Sequence, residues 1–179
     1  MVADMVIKEL EGLSSQGVCG AVKHFPGQGG VSGDSHDGAV TLDKSLEELM
    51  QTELVPFQKA LENGVSFVMV GHISVPQVVG DNTPASLSQM MVSNVLREQL
   101  GYQGIVITDA MNMGAVTGNY TADQAAVMAV NAGVDMILMP QDYETAYNGL
   151  LQAVQDGTIS EERIDESVER IVKVKLHMQ

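Results

Sequence analysis

The chain has 179 residues, with 9 lysines and arginines against 23 aspartates and glutamates, which gives a formal net charge of −14. This length allows one well-buried core, and an apolar fraction of 45% excludes disorder as a description of the whole chain. The excess of acidic residues argues against nucleic acid and anionic membrane surfaces as partners.

Short apolar runs alternate with amphipathic segments in the first half of the chain. Gly17 is suited to end the first helix, and Pro56 is expected to interrupt the second. The elements predicted here are a helix over 2–16, a strand over 18–25, a glycine-rich loop over 26–38, a helix over 45–62 and a strand over 66–70.

The second half of the chain repeats this alternation. A capping-box pattern, in which a Ser or Thr precedes a Glu or Gln by three residues, opens a helix. It occurs at Ser45 in the first half and at Ser86 and Thr121 in the second. The elements predicted after the second strand are a loop over 76–84, a helix from 86 to 101, a strand over 104–108, a helix over 121–133, a strand over 134–139 and helices over 142–156 and 160–177.

A leading helix followed by four strand–helix units predicts an α/β fold with a parallel sheet, in a single domain over residues 1–179. The strands are continuous apolar runs, as in sheets that are covered on both faces. Two architectures fit this pattern, a doubly wound sheet and a (β/α)8 barrel, and both bind ligands at the carboxyl ends of their strands. Four strands are too few for a complete barrel.

Polar residues follow the strand ends, where ligands bind in such folds. Asp109 ends the third predicted strand, Lys23 and His24 end the first, and His72 follows the second. Asp109 fits a site carboxylate and a helix cap equally well, and the basic residues also fit surface or loop positions. Strand alternation would send Lys23 and His24 to opposite sides.

A carboxylate and a histidine also lie close together in the glycine-rich loop. Asp34 is two residues before His36, so it can accept the ring N–H and fix the tautomer of a general acid–base. A turn aspartate beside an exposed histidine has the same spacing, so the pair alone is a weak signal.

The remaining motifs predict no cofactor and no metal. The glycine-rich loop has Ser32 where a dinucleotide-binding loop has its third glycine, and no Gly-Lys-Ser/Thr follows. The four histidines are far apart in sequence, and Cys19 is the only cysteine, which excludes an internal disulfide. Since the sequence has neither a long apolar run nor a signal-peptide pattern, the expected location of the chain as written is cytoplasmic.

In combination, these residues form an ordered set of motifs that resembles glycoside hydrolase family 3. The likeness is greatest to the β-N-acetylglucosaminidase branch, which recycles bacterial cell-wall sugars, and it runs from about residue 10 to the end of the chain. The motifs are Lys23-His-Phe-Pro-Gly27, Asp34-Ser-His36, Gly71-His-Ile73, Pro84-Ala-Ser-Leu-Ser88, Leu96-Arg97 and Gly101-Tyr-Gln-Gly-Ile-Val-Ile-Thr-Asp-Ala-Met-Asn-Met113.

The resemblance implies a retaining, two-step hydrolysis of terminal β-N-acetylglucosaminides, with carbohydrate as the ligand and no cofactor. Asp109 matches the nucleophile that would form a covalent glycosyl-enzyme. His36, oriented by Asp34, matches the acid/base. The resemblance further implies four substrate-binding positions, which are Lys23, His24, His72 and Met113.

Two departures from the family pattern modify these expectations. Gln28 stands where the branch usually has a histidine, so the loop that carries His36 is expected to differ in length or pose. The chain resembles only the C-terminal half of a TIM-like barrel, which implies a truncated catalytic domain. Because an open half barrel leaves edges and apolar surface uncovered, we expect self-association into a homo-oligomer.

Three functions stay open at this point. They are an N-acetylglucosaminidase, a glucosidase or xylosidase of the same family, and a non-catalytic sugar-binding or scaffold fragment that needs a partner for the other half of the barrel. We favour the hydrolase because Asp109, Asp34 and His36 are all retained.

Overall fold

The computed structural model describes residues 1–31 and 40–177, so the predictions for Asp34 and His36 lie outside the described residues. The strands are β1 (Ala21–Phe25), β2 (Val40–Thr41), β3 (Phe67–Val70), β4 (Ile73–Ser74), β5 (Ile105–Ala110) and β6 (Met136–Leu138). Four of them form a parallel sheet in the order β1-β3-β5-β6. The other two, β2 and β4, pair in parallel as a separate short ribbon.

Helices precede and connect these strands. They are α1 (Val2–Ser14), α2 (Leu46–Gln51), α3 (Val55–Glu62), α4 (Pro76–Val79), a 3-10 turn (Ala85–Leu87), a π-helix (Met90–Gln99), α5 (Gly114–Thr117), α6 (Ala122–Ala132), α7 (Tyr143–Gln155) and α8 (Glu161–His177). Within the described part of the chain, no helix combines the length and the apolar character that crossing a bilayer requires.

The strand order confirms the predicted parallel α/β fold and favours the barrel type over the doubly wound type. The four strands follow one another across the sheet in chain order, without a reversal. Right-handed crossovers then place the connecting helices on one face, whereas a doubly wound sheet needs a reversal. The described strands form an open sheet with β1 and β6 at its edges, so self-association stays a prediction.

Two of the three predicted capping boxes are present. The Glu48 N–H donates to Ser45 Oγ at 3.3 Å, and the Ser45 N–H donates to the Glu48 carboxylate at 2.8 Å. Thr121 and Gln124 form the same box at the start of α6. Gly133 ends that helix with a φ of 111°, a left-handed conformation that favours glycine.

The structure corrects other boundaries. The prediction of a capping box at Ser86 is wrong, because the next long helix begins at Met90 and has no side-chain cap. The first strand begins at Ala21 rather than at residue 18, and the predicted loop over 76–84 contains α4. The helix interrupted at Pro56 is two helices, as predicted, whereas β2, β4 and α5 are too short to produce a periodic signal.

A buried carboxylate connects the sheet to two helices at the amino ends of the strands. The side chain of Asp135, directly before β6, has no exposed surface. Its Oδ2 accepts from Arg97 at 2.6 Å and from the Val106 N–H at 2.9 Å. Its Oδ1 accepts from Arg170 at 2.9 Å and from the Ser167 hydroxyl at 2.7 Å. One carboxylate thereby joins β5 and β6 to the π-helix and α8.

Replacing Asp135 with Asn is expected to lower the free energy of unfolding by about 3 kcal/mol, because it leaves partly buried guanidinium groups without a counter-charge. Urea denaturation followed by circular dichroism measures this change. Glu169→Gln is the matched control, since Glu169 and its partner Lys173 are 66% and 64% exposed and their ion pair is expected to contribute nothing measurable. Equal stability of Asp135→Asn and the parent chain would contradict the role assigned to this carboxylate.

Candidate active site

The described site residues meet at one edge of the sheet. Lys23 and His24 lie in β1, His72 follows β3, and Asp109 lies in β5. Because these strands are parallel, their carboxyl ends share this edge. The location agrees with the site predicted from the polar residues at the strand ends.

β1 and β5 each carry one extra residue relative to a neighbouring strand. Between two paired positions, β1 advances by three residues, from 22 to 25, while β3 advances by two. In the same way, β5 advances by three residues, from 107 to 110, while β6 advances by two. Such bulges break the strict alternation of a strand. Lys23 and His24 lie in the first bulge and Asp109 lies in the second, so the regular alternation expected for Lys23 and His24 does not apply to them.

The Thr108 side chain keeps β5 bonded to β6 at the second bulge. The Leu138 N–H donates to Thr108 Oγ1 at 3.0 Å, and the Met111 N–H donates to the Leu138 carbonyl at 2.9 Å. Thr108 has no exposed surface. The strand is consequently fixed to its neighbour on both sides of Asp109.

His24 and Asp109 approach each other across the end of β3. His24 Nε2 lies 3.3 Å from Asp109 Oδ2, and the two side chains are 19% and 15% exposed. This separation is within ion-pair distance. The other oxygen, Oδ1, accepts from the Ala110 N–H at 2.8 Å. One oxygen of the Asp109 carboxylate is thus oriented by a backbone donor, and the other faces the His24 ring.

Gly71 makes room for the contact between His24 and Asp109. A β-carbon at Gly71 would lie 3.1 Å from the β-carbon of His24, which is shorter than the optimal carbon–carbon separation of about 3.5–4.0 Å. The Gly71 N–H donates to the Phe25 carbonyl at 2.9 Å, so the backbones of β1 and β3 are adjacent at this point.

His72 is enclosed by the protein. It is 1% exposed, its Nδ1 lies 2.7 Å from Ser86 Oγ, and its Nε2 lies 3.0 Å from the Ala110 carbonyl oxygen. Burial lowers the pKa of His72, and the Ala110 carbonyl and the Asp109 carboxylate offset this only in part. The sugar contact that the resemblance implies for His72 stays a prediction.

Ser86 is the site residue that sequence reasoning missed. Its spacing to Gln89 suggests a helix cap, whereas the structure buries it completely and uses its hydroxyl for His72. The motif Pro84-Ala-Ser-Leu-Ser88 contains Ser86, and this was the one signal that could have marked it.

A groove of about 710 Å³ runs beside β1, with Lys23 and His24 in its lining. Glu53 also lines it, is 10% exposed, and pairs with Lys44 at 2.6 Å. Burial by itself would raise the pKa of Glu53. Hydrogen bonds to its carboxylate, above all the one from Lys44, outweigh this effect, so the pKa of Glu53 is lowered. A β-carbon at Gly27 would lie 2.7 Å from the β-carbon of Glu53, so the start of the glycine-rich loop packs closely against this side chain.

Met113 is the remaining predicted position. It is 7% exposed, and its N–H donates to the Ala110 carbonyl at 3.2 Å in the turn after β5. Its sugar contact stays a prediction. In residues 1–31 and 40–177, no three His, Cys, Asp or Glu side chains are grouped so that they could hold a metal ion.

The comparisons with known proteins agree on one family. The profile described as "Glycosyl hydrolase family 3 N terminal domain" matches residues 1–174. Beta-hexosaminidase A of Pseudoalteromonas piscicida is 29% identical over 98% of this chain and 33% of its own length. The chain spans about a third of the length of this relative.

Solved structures superpose closely on the chain. A family 3 β-N-acetylglucosaminidase from Paenibacillus sp. str. FPU-7 gives a TM-score of 0.93 at 40% identity, over 96% of this chain and 33% of the other. The β-glucoside phosphorylase BglX gives a TM-score of 0.93 at 27% identity, over 98% of this chain and 33% of the other. The similarity extends over the whole sheet and its helices.

Replacing Gly71 with Ala is expected to displace His24, because the new β-carbon would lie 3.1 Å from the β-carbon of His24. In a crystal structure of the variant, the separation between His24 Nε2 and Asp109 Oδ2 should be longer than the present 3.3 Å. Gly12→Ala is the matched control, since a β-carbon there meets no atom within 4 Å. An unchanged separation in Gly71→Ala would show that Gly71 is not needed for the contact.

Proposed function

Since the chain belongs to glycoside hydrolase family 3, we propose that its site serves the retaining hydrolysis of terminal β-N-acetylglucosaminides. The observation that carries this proposal is the placement of Asp109 at the carboxyl edge of the sheet, with one carboxylate oxygen bonded by the Ala110 N–H and the other facing His24. The β-hexosaminidase and β-N-acetylglucosaminidase names of similar proteins support the sugar class.

Asp109 is the proposed nucleophile. One of its oxygens attacks the anomeric carbon of the terminal sugar while the bond to the leaving oxygen breaks, which gives an ester between Asp109 and the sugar. The Ala110 N–H and His24 already orient the carboxylate, so little reorganisation is needed as the bond forms.

His36 is the proposed acid/base, with Asp34 as its orienting partner. The imidazolium gives a proton to the leaving oxygen in the first step. In the second step the neutral ring takes a proton from the water that attacks the ester, so the protein returns to its starting state. Support for these roles comes from the motif Asp34-Ser-His36, which lies between β1 and β2 in sequence.

Lys23 and His24 are the proposed ligands of the sugar hydroxyls. Both line the groove beside β1, and His24 also contacts the nucleophile. An ammonium group and a ring N–H are donors that suit hydroxyl oxygens. This position connects binding of the sugar to the orientation of Asp109.

Transfer of a β-glucosyl group to phosphate is the second candidate, and one observation favours it. The β-glucoside phosphorylase superposes on the chain with the same TM-score of 0.93 as the β-N-acetylglucosaminidase. The higher sequence identity, 40% against 27%, favours the N-acetylglucosaminide. Assays on nitrophenyl N-acetyl-β-glucosaminide and β-glucoside, each with and without inorganic phosphate, distinguish the two.

Asp109→Asn is expected to lower turnover of nitrophenyl N-acetyl-β-glucosaminide by at least about three orders of magnitude, as removal of a nucleophile does in other covalent enzymes. Asp142→Asn is the matched control, because Asp142 caps α7 at an exposed position and should leave turnover unchanged. Azide added to Asp109→Ala should restore turnover and give the α-glycosyl azide. Full activity of Asp109→Asn would exclude Asp109 as the nucleophile, and no turnover by the parent chain would favour the non-catalytic alternative.

The pH dependence of kcat/KM tests the acid/base. If His36 has this role, the profile should be a bell with one limb in the histidine range of about 6 to 7. His36→Ala should remove that limb, and it should reduce turnover of an alkyl glycoside more than that of a nitrophenyl glycoside, because nitrophenolate leaves without a proton. A flat profile from pH 5 to 8 would contradict the role of His36.

A further inference from the structure

The peptide group between Ala110 and Met111, one residue beyond the proposed nucleophile, is bonded on both sides. The Ala110 carbonyl lies 3.0 Å from His72 Nε2, and the Met111 N–H donates to the Leu138 carbonyl at 2.9 Å. The Ala110 carbonyl also accepts from the Met113 N–H at 3.2 Å, so His72 is its side-chain partner beside this backbone turn. The Ala110 N–H in turn donates to Asp109 Oδ1 at 2.8 Å. Because of this bond, a change in the conformation of Ala110 would also change the orientation of the Asp109 carboxylate.

The Ala110 carbonyl sets the tautomer of His72, and Ser86 bonds the other ring nitrogen. A carbonyl oxygen can only accept, so His72 Nε2 carries a hydrogen, and Nδ1 of the neutral ring accepts from the Ser86 hydroxyl at 2.7 Å. Ser86 has no exposed surface and His72 is 1% exposed, so water does not compete for these bonds. The charged or titratable groups that act on the ring are Asp109 on β5 and His24 on β1, and burial favours the neutral form by lowering the pKa of His72.

We propose that His72, with its ring held by Ser86, is a positioning residue that bonds Ala110 and thereby orients the Asp109 carboxylate, without contacting the sugar. This inference rests on the proposed function, in which Asp109 is the nucleophile. A direct sugar contact would require one ring nitrogen to give up its protein partner, and an unpaired buried donor or acceptor is costly. The connection from Ser86 to Asp109 acts on the rate of the chemical step and leaves affinity for the sugar unchanged.

Ser86→Ala tests the proposal by removing the hydroxyl that bonds Nδ1 and holds the His72 ring in place. The kcat for nitrophenyl N-acetyl-β-glucosaminide should fall about tenfold, with KM unchanged within about twofold, because only an interaction that acts on the transition state is lost. Ser88→Ala is the matched control, since Ser88 is also buried and lies in the same segment but is not a partner of the His72 ring. A raised KM with unchanged kcat in Ser86→Ala would overturn the proposal.

Two variants of His72 separate positioning from a loss of folding. His72→Gln keeps an N–H donor near the position of Nε2, so it should retain more of kcat than His72→Ala, for which a fall of about a hundredfold is expected from a misplaced carboxylate. Thermal unfolding of each variant shows whether the fold is intact. Equal kcat in the two variants would overturn the proposal, because the donor to Ala110 would then have no effect.

Nitrogen-15 NMR of the parent chain provides a test that does not depend on turnover. At pH 7, His72 should have a protonated Nε2 and an unprotonated Nδ1, and Ser86→Ala should shift the amide signal of Ala110. A hydrogen on Nδ1 alone, or an unmoved Ala110 amide, would overturn the positioning role. An absence of hydrolysis by the parent chain would overturn the proposed function instead, and the ring and amide signals would still decide whether His72 holds Ala110.

Discussion

The candidate site depends on the single extra residue that β1 and β5 each carry near the carboxyl end. In a regular strand, two consecutive side chains point to opposite faces, and a bulge breaks this alternation. The bulge over residues 22–25 contains Lys23 and His24, and the bulge over residues 107–110 contains Asp109. Because the residue directly after β3 is Gly71, His24 has room to reach across to Asp109. The chemistry proposed for this edge follows from backbone irregularity as much as from residue type.

The two edges of the sheet have different roles. At the amino ends, the buried side chain of Asp135 accepts hydrogen bonds from the backbone of β5 and from side chains of two helices, which fixes the packing of the fold. At the carboxyl ends, His24 and Asp109 retain 19% and 15% exposure, so a ligand can reach them. A charge network that stabilises one edge leaves the polar groups of the other edge available for binding and catalysis, which is the division of roles found in parallel α/β barrels.

The range of each interaction explains how much could be predicted from sequence. The caps at Ser45 and Thr121 involve residues three positions apart, so the local pattern was sufficient. Ser86 has the same local pattern, but His72, from another element, takes its hydroxyl, and this tertiary contact outweighs the cap. The position of Asp109 at the end of a predicted parallel strand placed it at the correct edge. The sequence could not show the bulges, because a bulge is defined by the register of a strand against its neighbour.

In the proposed mechanism, the two oxygens of Asp109 differ in a way that favours one of them for bond formation. Oδ1 accepts from the backbone N–H of Ala110, which cannot withdraw without moving β5, whereas Oδ2 contacts a histidine side chain, which can rotate. The attacking oxygen loses negative charge as the ester forms, so its attraction to a neighbouring polar group weakens and that group must be able to separate from it. Attack through Oδ2 meets this requirement. Oδ1 then becomes the carbonyl oxygen of the ester and keeps the Ala110 N–H, so the backbone that orients the nucleophile before reaction also holds the intermediate.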